Sequence, residues 1–155
     1  MLYKIMLVDD EAEVRLSILN RIPWHKLGFE VIADAENGED ALEKMMTAEP
    51  DVIITDIQMP FMSGLEFIAK VRENYPDKEI VIFSGYSEFE YAKQAIRLGV
   101  REYILKPVDR EELSAILTKI KHDLDDQLAQ MRDTQAIYEQ FQKSLSKKEK
   151  YRLTQ

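Results

Sequence analysis

Five polar or charged side chains stand where apolar segments of this sequence end. Asp9 and Asp10 follow the first segment, Asp56 follows the third, and Ser84 and Lys106 stand at the ends of the fourth and fifth. An isolated aspartate at such a place is usually a turn or helix-capping residue. Four segment ends that all carry polar groups instead predict a functional site.

These side chains suit phosphoryl chemistry. Carboxylates gathered in one place repel one another, and a hard divalent cation such as Mg²⁺ relieves that repulsion. Asp56 can act as a nucleophile, since carboxylates form aspartyl phosphates. Lys106 offers a positive charge and Ser84 a hydroxyl hydrogen bond to phosphoryl oxygens. Taken singly, Lys106 is equally well explained as a solvated charge, and Ser84 as a turn residue.

The elements that must position these side chains alternate between strand and helix. Short apolar runs predict strands, and apolar residues spaced by three and four predict helices. Predicted strands cover 3–8, 29–35, 51–55, 79–83 and 103–105, and predicted helices cover 11–22, 39–48, 65–74, 88–98 and the chain from 109 onward. This order predicts an α/β fold, a five-stranded parallel sheet with helices on both faces. Sites in such sheets lie beyond the carboxyl ends of the strands, where the five side chains stand.

The composition argues against several classes of protein. The chain of 155 residues has no cysteine, which excludes disulfides and thiolate metal sites within it. Its formal net charge of −8 disfavours direct binding to a nucleic-acid backbone. No apolar run is long enough to predict a membrane span, and the first residues lack the features of a signal peptide. The sequence therefore predicts a cytoplasmic protein.

Four stretches of the sequence carry these residues in a distinctive context. They are Leu7-Val8-Asp9-Asp10-Glu11, Thr55-Asp56-Ile57-Gln58-Met59-Pro60-Phe61-Met62-Ser63-Gly64-Leu65-Glu66, Phe83-Ser84-Gly85-Tyr86 and Tyr103-Ile104-Leu105-Lys106-Pro107. Together they resemble the receiver domains of two-component response regulators, over residues 2–120. The resemblance implies a flavodoxin-like receiver fold that accepts a phosphoryl group from a sensor histidine kinase and controls transcription.

The resemblance also implies the metal ligands. Asp56 matches the phosphoacceptor, and Asp10 and Asp56 match the carboxylates that bind Mg²⁺. Asp9 would support the metal directly or through water, and the main-chain carbonyl of Gln58 would complete the protein ligands. The implied activity is that of a switch with weak self-phosphorylation and self-dephosphorylation, and not that of a metabolic enzyme.

The switch residues are implied in the same way. Ser84 matches the hydroxyl that moves towards the phosphoryl group, and Lys106 matches the lysine that pairs with it. Tyr103 matches the aromatic residue that turns inward when the hydroxyl moves. The resemblance further implies a cis bond between Lys106 and Pro107.

A narrower resemblance concerns the output of the switch. Trp24 before Leu27-Gly28-Phe29, and the stretch 84–92, are similar to regulators that carry an AraC-type DNA-binding domain at the C-terminus. These residues contain no such domain, so DNA would be bound only through a domain that is missing here.

The C-terminal segment departs from a bare receiver domain. Residues spaced by three and four form a seam of nine positions, seven of them apolar: Leu117, Ile120, Leu124, Gln127, Met131, Thr134, Tyr138, Phe141 and Leu145. Such a seam is typical of a coiled coil. We therefore predict a receiver domain at 1–121 and a helical linker at 122–155 that forms a parallel homodimer. The alternative is a single solvated linker helix.

Three other functions are compatible with parts of the pattern. A phosphatase of the haloacid-dehalogenase type also uses a strand-end aspartate, but it needs a second aspartate where Gln58 stands. A flavodoxin-like flavin binder needs a phosphate loop after the first strand, where Asp9 and Asp10 would repel phosphate. A degenerate receiver that serves only as an interaction module would not need the complete acceptor set.

Overall fold

The computed structural model describes residues 1–85 and 89–153, and the side chains of 1–85 and 90–147. The chain forms two units, Met1–Thr118 and Lys119–Gln155. The strands are β1 Tyr3–Val8, β2 Phe29–Ala35, β3 Val52–Asp56, β4 Glu79–Ser84 and β5 Glu102–Leu105. The helices are α1 Ala12–Arg21, α2 Trp24–Leu27, α3 Gly38–Ala48, α4 Gly64–Asn74, α5 Phe89–Arg97 and α6 Arg110–Leu153.

The five strands form one parallel sheet in the order β2-β1-β3-β4-β5. The predicted α/β fold, a five-stranded parallel sheet covered by helices, is therefore confirmed. The strand order reverses between β1 and β3, so their carboxyl ends flank the crevice in which ligands of such sheets bind. An irregular register between β1 and β2 places one additional residue, Ile32, in the edge strand.

Alternate side chains of the strands face opposite sides of the sheet. On one side, Met6 of β1, Ile53 of β3 and Ile80 of β4 belong to a buried cluster that also contains residues of α3, α4 and α5. The next residues along these strands, Leu7, Ile54 and Val81, are buried as well but lie outside that cluster. Burial on both faces explains why the strands read as continuous apolar runs.

Local capping explains where two of the helices begin. The side chain of Asn37 accepts a hydrogen bond from the backbone N–H of Asp40 at the start of α3. Ser63 does the same for Glu66 at the start of α4. These side chains satisfy amide groups that have no partner inside the helix.

The structure differs from the sequence-based expectations at three places. The short helix α2 was not predicted, because Pro23-Trp24 indicated only a break at the end of the first helix. The spacing of apolar residues in 39–48 predicts Ala41, Leu42, Met45 and Met46 on the inward side of the helix, but Met46 is 69% exposed. Residue 88, where the fourth helix was expected to begin, lies outside the described residues, and α5 is described from Phe89.

In the second unit, α6 continues as a helix to Leu153. Every side chain described from residue 129 to residue 147 is exposed. Among the helices that the structure describes, none is both long enough and apolar enough to cross a membrane.

Candidate functional site

The parallel strands bring four of the predicted site residues together at one edge of the sheet. Asp9 and Asp10 follow β1, Asp56 is the last residue of β3, and Lys106 follows β5. The ammonium nitrogen of Lys106 lies 2.9 Å from Oδ2 of Asp9 and 2.9 Å from Oδ2 of Asp56. One cation therefore bridges two carboxylates that come from different strands.

The second oxygen of each bridged carboxylate is held by the backbone. Oδ1 of Asp9 accepts a hydrogen bond from the backbone N–H of Glu11 at 2.7 Å, and Oδ1 of Asp56 accepts one from Ile57 at 2.7 Å. Asp9 therefore lies at the predicted site and also bonds the backbone N–H of Glu11, the residue just before α1, and its part in metal binding stays a prediction. Arg15 anchors the same region by donating to the main-chain carbonyl of Asp9.

Burial makes the charges of this site costly. The side chains of Asp9 and Asp56 are only 1% and 7% exposed, and that of Lys106 is 20% exposed. Loss of solvation raises the pKa of the Asp56 carboxyl above its ordinary value, despite the opposing hydrogen bond and charge of Lys106. For Lys106, burial alone would lower the pKa, but the hydrogen bonds and charges of Asp56 and Asp9 outweigh it, and the pKa is raised.

Asp10 completes a group of three carboxylates. It is exposed, whereas Asp9 and Asp56 are buried, and one oxygen from each of the three lies within 4.8 Å of the others. Three carboxylates against the single ammonium of Lys106 leave two negative charges at this edge. That donor set and that charge suit a hard divalent cation such as Mg²⁺, so the residues present fit a magnesium site.

The other predicted residues lie beside this group. Ser84 ends β4 and is buried, and its carbonyl accepts a hydrogen bond from the backbone N–H of Lys106 at 2.7 Å. Tyr103, on β5, is half-buried against the core cluster. Gln58 stands two residues beyond β3 with an exposed side chain. The peptide bond between Lys106 and Pro107 is cis, as the resemblance implied.

Two features of the loop after β3 were missed by the sequence reading. A Cβ atom on Gly64 would lie 2.0 Å from the carbonyl oxygen of Asp56, so the loop can return this close to the strand only with glycine there. Phe61 has a φ of 68° and is 84% exposed. The Ser63-Gly64 pair could have signalled the tight return, but no pattern in the sequence points to the backbone of Phe61.

The family model of the response regulator receiver domain matches residues 5–118. The transcriptional regulatory protein YesN of Bacillus subtilis is 41% identical over 123 residues, which cover 79% of this chain and 33% of YesN. This chain therefore spans about a third of that regulator's length.

Two solved structures are similar to this chain in both sequence and fold. The REC domain of AraT, a response regulator from Geobacillus stearothermophilus, is 40% identical, with a TM-score of 0.78 over 83% of this chain and 99% of that domain. A two-component transcriptional regulator AraC from Clostridium phytofermentans is 35% identical, with a TM-score of 0.73 over 81% and 98% of the two chains. The match to the family model covers well over half of the sequence, and the chain belongs to the response regulator receiver domain family.

Proposed function

We propose that this chain is a phosphorylation switch in which Asp56 accepts a phosphoryl group from a phosphohistidine of a sensor histidine kinase. The observation that carries the proposal is the Lys106 bridge to the buried carboxylates of Asp9 and Asp56. A buried carboxylate with an ammonium group at 2.9 Å is poised to attack phosphorus while the growing negative charge is stabilised.

The transfer needs little covalent help from the protein. A carboxylate oxygen of Asp56 attacks phosphorus in line, an O–P bond forms, and the P–N bond to the donor imidazole breaks. The imidazole nitrogen keeps the bonding electron pair and takes a proton from solvent. Self-dephosphorylation is the attack of water on the same phosphorus, which releases inorganic phosphate and restores the carboxylate. Lys106 and Ser84 are proposed to bind phosphoryl oxygens in both steps.

Mg²⁺ would be held by Asp10 and Asp56, supported by Asp9 and by the main-chain carbonyl of Gln58. When bound, it would neutralise negative charge on the phosphoryl oxygens. Both oxygens of Asp9 are already hydrogen-bonded within the protein, whereas Asp10 is exposed. We therefore expect Asp10→Asn to weaken Mg²⁺ binding more than Asp9→Asn does in a calorimetric titration. Unchanged affinity in Asp10→Asn would contradict this ligand set.

We propose that the kinase binds in a groove next to Lys106. It runs between α1 and the end of β5 and is lined on the β5 side by Lys106, Pro107 and Val108. Val14 and Ile18 of α1 supply apolar side chains on the opposite wall. A donor protein seated there would lie next to the lysine that bonds Asp56. Since such kinases present their phosphohistidine inside the cell, the proposal places the chain in the cytoplasm.

The switch itself is proposed to run through Ser84 and Tyr103. Phosphorylation of Asp56 would draw the Ser84 hydroxyl towards the phosphoryl group and bias the half-buried Tyr103 inward. A bias of a few kcal/mol between two existing states is enough for such a change. Ser84→Ala should still accept the phosphoryl group, but the NMR shifts around α5 and β5 should be lost. Identical shifts in Ser84→Ala and the parent would contradict the coupling.

The output of the switch is proposed to lie outside these residues. We assign residues 1–121 to the receiver domain and 122–155 to a linker that leads to an AraC-type DNA-binding domain. DNA would be bound only through that domain. The linker is also proposed to pair two copies of the chain.

The decisive experiment uses a small phosphodonor. Incubation with acetyl phosphate and Mg²⁺ should add one phosphoryl group, seen by intact-protein mass spectrometry. The addition should require the metal and vanish in Asp56→Asn. Asp77→Asn, a change of the same chemistry at an exposed loop position, is the control and should label normally. Labelling that persists in Asp56→Asn would contradict the assignment of Asp56 as the residue that accepts the phosphoryl group.

A further inference from the structure

Between Leu124 and Lys147, the charged side chains of α6 share one side of the helix. Heptad positions are assigned by placing Leu124, Met131, Tyr138 and Leu145 at position a. Every charged residue between 124 and 147 then falls at b, c or f: Asp125, Asp126, Arg132, Asp133, Glu139, Lys143 and Lys147. Positions a, d, e and g of this segment carry no charge. We call these positions the charge-free face.

The charge-free face carries large apolar side chains that stand in solvent. The exposed fraction is 68% for Met131, 68% for Ile137, 55% for Tyr138, 58% for Phe141 and 44% for Leu145. Helices that are solvated all round usually carry charged residues on every side. A helix that separates its charges this completely has a face suited to a partner.

We propose that the charge-free face binds a second copy of this chain, in a parallel, in-register two-stranded coiled coil. The inference rests on the pairing of the linker proposed above, for which it names the face and the orientation, and it does not depend on phosphorylation. Charges at positions e and g normally select partners in coiled coils. Here those positions hold only uncharged residues, so nothing repels an identical helix, and no charge pattern calls for a different one.

The polar members of the seam favour the parallel arrangement. In a parallel, in-register pair, Gln127 contacts Gln127 of the second copy and Thr134 contacts Thr134. Each apolar residue of the seam likewise contacts the same residue of the second copy. An antiparallel pair that matches positions a with d would set Gln127 against Tyr138 and Thr134 against Met131. Matching polar layers satisfy hydrogen-bonding groups that would otherwise face apolar neighbours.

The size of the face sets the expected affinity. Residues 124–147 span about 36 Å of helix at the standard rise. The five exposed apolar side chains offer roughly 100 Å² each, so two copies would bury on the order of 1,000 Å² of apolar surface. That lies near the lower end of specific interfaces, which begin at about 1,200 Å² in total. The uncharged polar residues of the charge-free face add to the buried area. We therefore expect a dimer of modest affinity.

Sedimentation of the full chain over a range of concentrations tests the interface. We expect a monomer–dimer equilibrium whose dissociation constant changes less than about threefold between low and high salt, because the face is uncharged. Phe141→Glu, at position d, should raise the dissociation constant at least about tenfold. Gln140→Glu makes the same change of charge one residue away, at position c, and should leave the constant within about twofold of the parent.

Single cysteines test the orientation, since the chain has none of its own. Gln127→Cys, at position d, should form a disulfide between copies under mild oxidation. Ala129→Cys, at the outward position f, should not. A monomer at every concentration, with helix content intact by circular dichroism, would overturn the proposal and leave the face to another partner. A dimer in which Gln127→Cys fails to cross-link, or Gln140→Glu dissociates as readily as Phe141→Glu, would overturn it as well.

Discussion

The strand-end site and the C-terminal helix use the same kinds of charged pair in opposite settings. Lys106 reaches carboxylates 97 and 50 residues away in the chain, and the side chains of those carboxylates are at most 7% exposed. Lys121 pairs with Asp125 one helical turn away, and both side chains are well exposed, at 38% and 49%. The first pair exists only because the sheet forms, whereas the second needs only a helix.

The contrast indicates that burial, and not the nitrogen–oxygen distance, decides how much an ion pair contributes to the free energy of unfolding. The nitrogen–oxygen separations are similar, 2.9 Å at Lys106 and 2.7 Å at Lys121. Exposed pairs contribute little because water and salt screen them. A buried carboxylate that loses its cation remains desolvated without compensation. Substitutions of the charged residues in the two regions test this difference.

Removal of the bridging cation should separate the two regions most clearly. Lys106→Met should lower the free energy of unfolding by about 3–5 kcal/mol, because Asp9 and Asp56 would stay buried without a cation. The matched change Lys121→Met on the exposed helix should cost less than about 1 kcal/mol. Urea unfolding of both variants measures the difference. Equal losses would show that the burial argument is wrong.

A methyl group added beside the main chain of Asp56 should have the next largest effect. In Gly64→Ala the new Cβ would meet the Asp56 carbonyl oxygen at 2.0 Å, so the backbone must move, at a cost of about 3 kcal/mol. Gly85→Ala is the control, since among the described residues, chain neighbours aside, no atom lies within 4 Å of the corresponding position. Its stability should stay within about 0.5 kcal/mol of the parent. Thermal unfolding of the two variants decides the point, and a stable Gly64→Ala would refute the close contact.

The raised pKa of Asp56 predicts a pH-dependent gain in stability when its charge is removed. Below the ordinary pKa of 3.8 the carboxyl is protonated in both the folded and the unfolded chain. As the pH rises through the raised pKa, ionisation favours the unfolded chain, so stability is lost. Asp56→Asn should therefore be more stable than the parent at pH 7 in chelator, by less than Lys106→Met loses, and this gain should fade towards pH 3.5.

The exposed carboxylate of Asp125 supplies the comparison for that experiment. Asp125→Asn changes the same chemical group on the solvated helix and should show no such pH-dependent gain. Urea unfolding at both pH values measures the two variants side by side. If Asp56→Asn is less stable than the parent at pH 7, the bond to Lys106 contributes more to stability than the desolvation of the Asp56 carboxylate costs.

The smallest expected effect concerns the backbone of Phe61. A non-glycine residue at a φ of 68° costs about 1 kcal/mol, and an 84% exposed ring has little packing to offset it. Phe61→Gly should therefore stabilise the receiver unit by about 1 kcal/mol, whereas Phe61→Ala should give no gain. Differential scanning calorimetry is sensitive enough to compare them. A loss of stability in Phe61→Gly would reveal a packing role for the ring.

Most of the architecture could be predicted from the sequence because it depends on local patterns. Continuous apolar runs marked the strands to within about a residue, and the alternation with helices implied the parallel sheet. Parallel strands then had to carry Asp9, Asp56 and Lys106 to one edge. The proposed chemistry of the site rests on this topology and on the resemblance, and it needed no knowledge of distances.

The features that were missed depend on contacts between distant residues. Lys106 was expected to serve a phosphoryl group, but its bond to Asp9 could be seen only in the folded chain. Arg72 is another example, since its guanidinium donates to the carbonyls of Pro76, Lys78, Leu98 and Gly99. No spacing or residue type distinguishes such an arginine from a solvated one. The expectation that Met46 faces inward was wrong. The spacing of apolar residues along a helix does not show how much of that helix the neighbouring elements cover.

The contact between Gly64 and the backbone of Asp56 has a consequence for protein design. A phosphorylation site transplanted into another parallel sheet would need more than an aspartate at a strand end, since that residue rests against the start of the following helix. Residues 56–64, with the capping serine and the glycine at their end, would therefore have to be transferred together. A grafted aspartate without that return loop would lack the support behind its main chain.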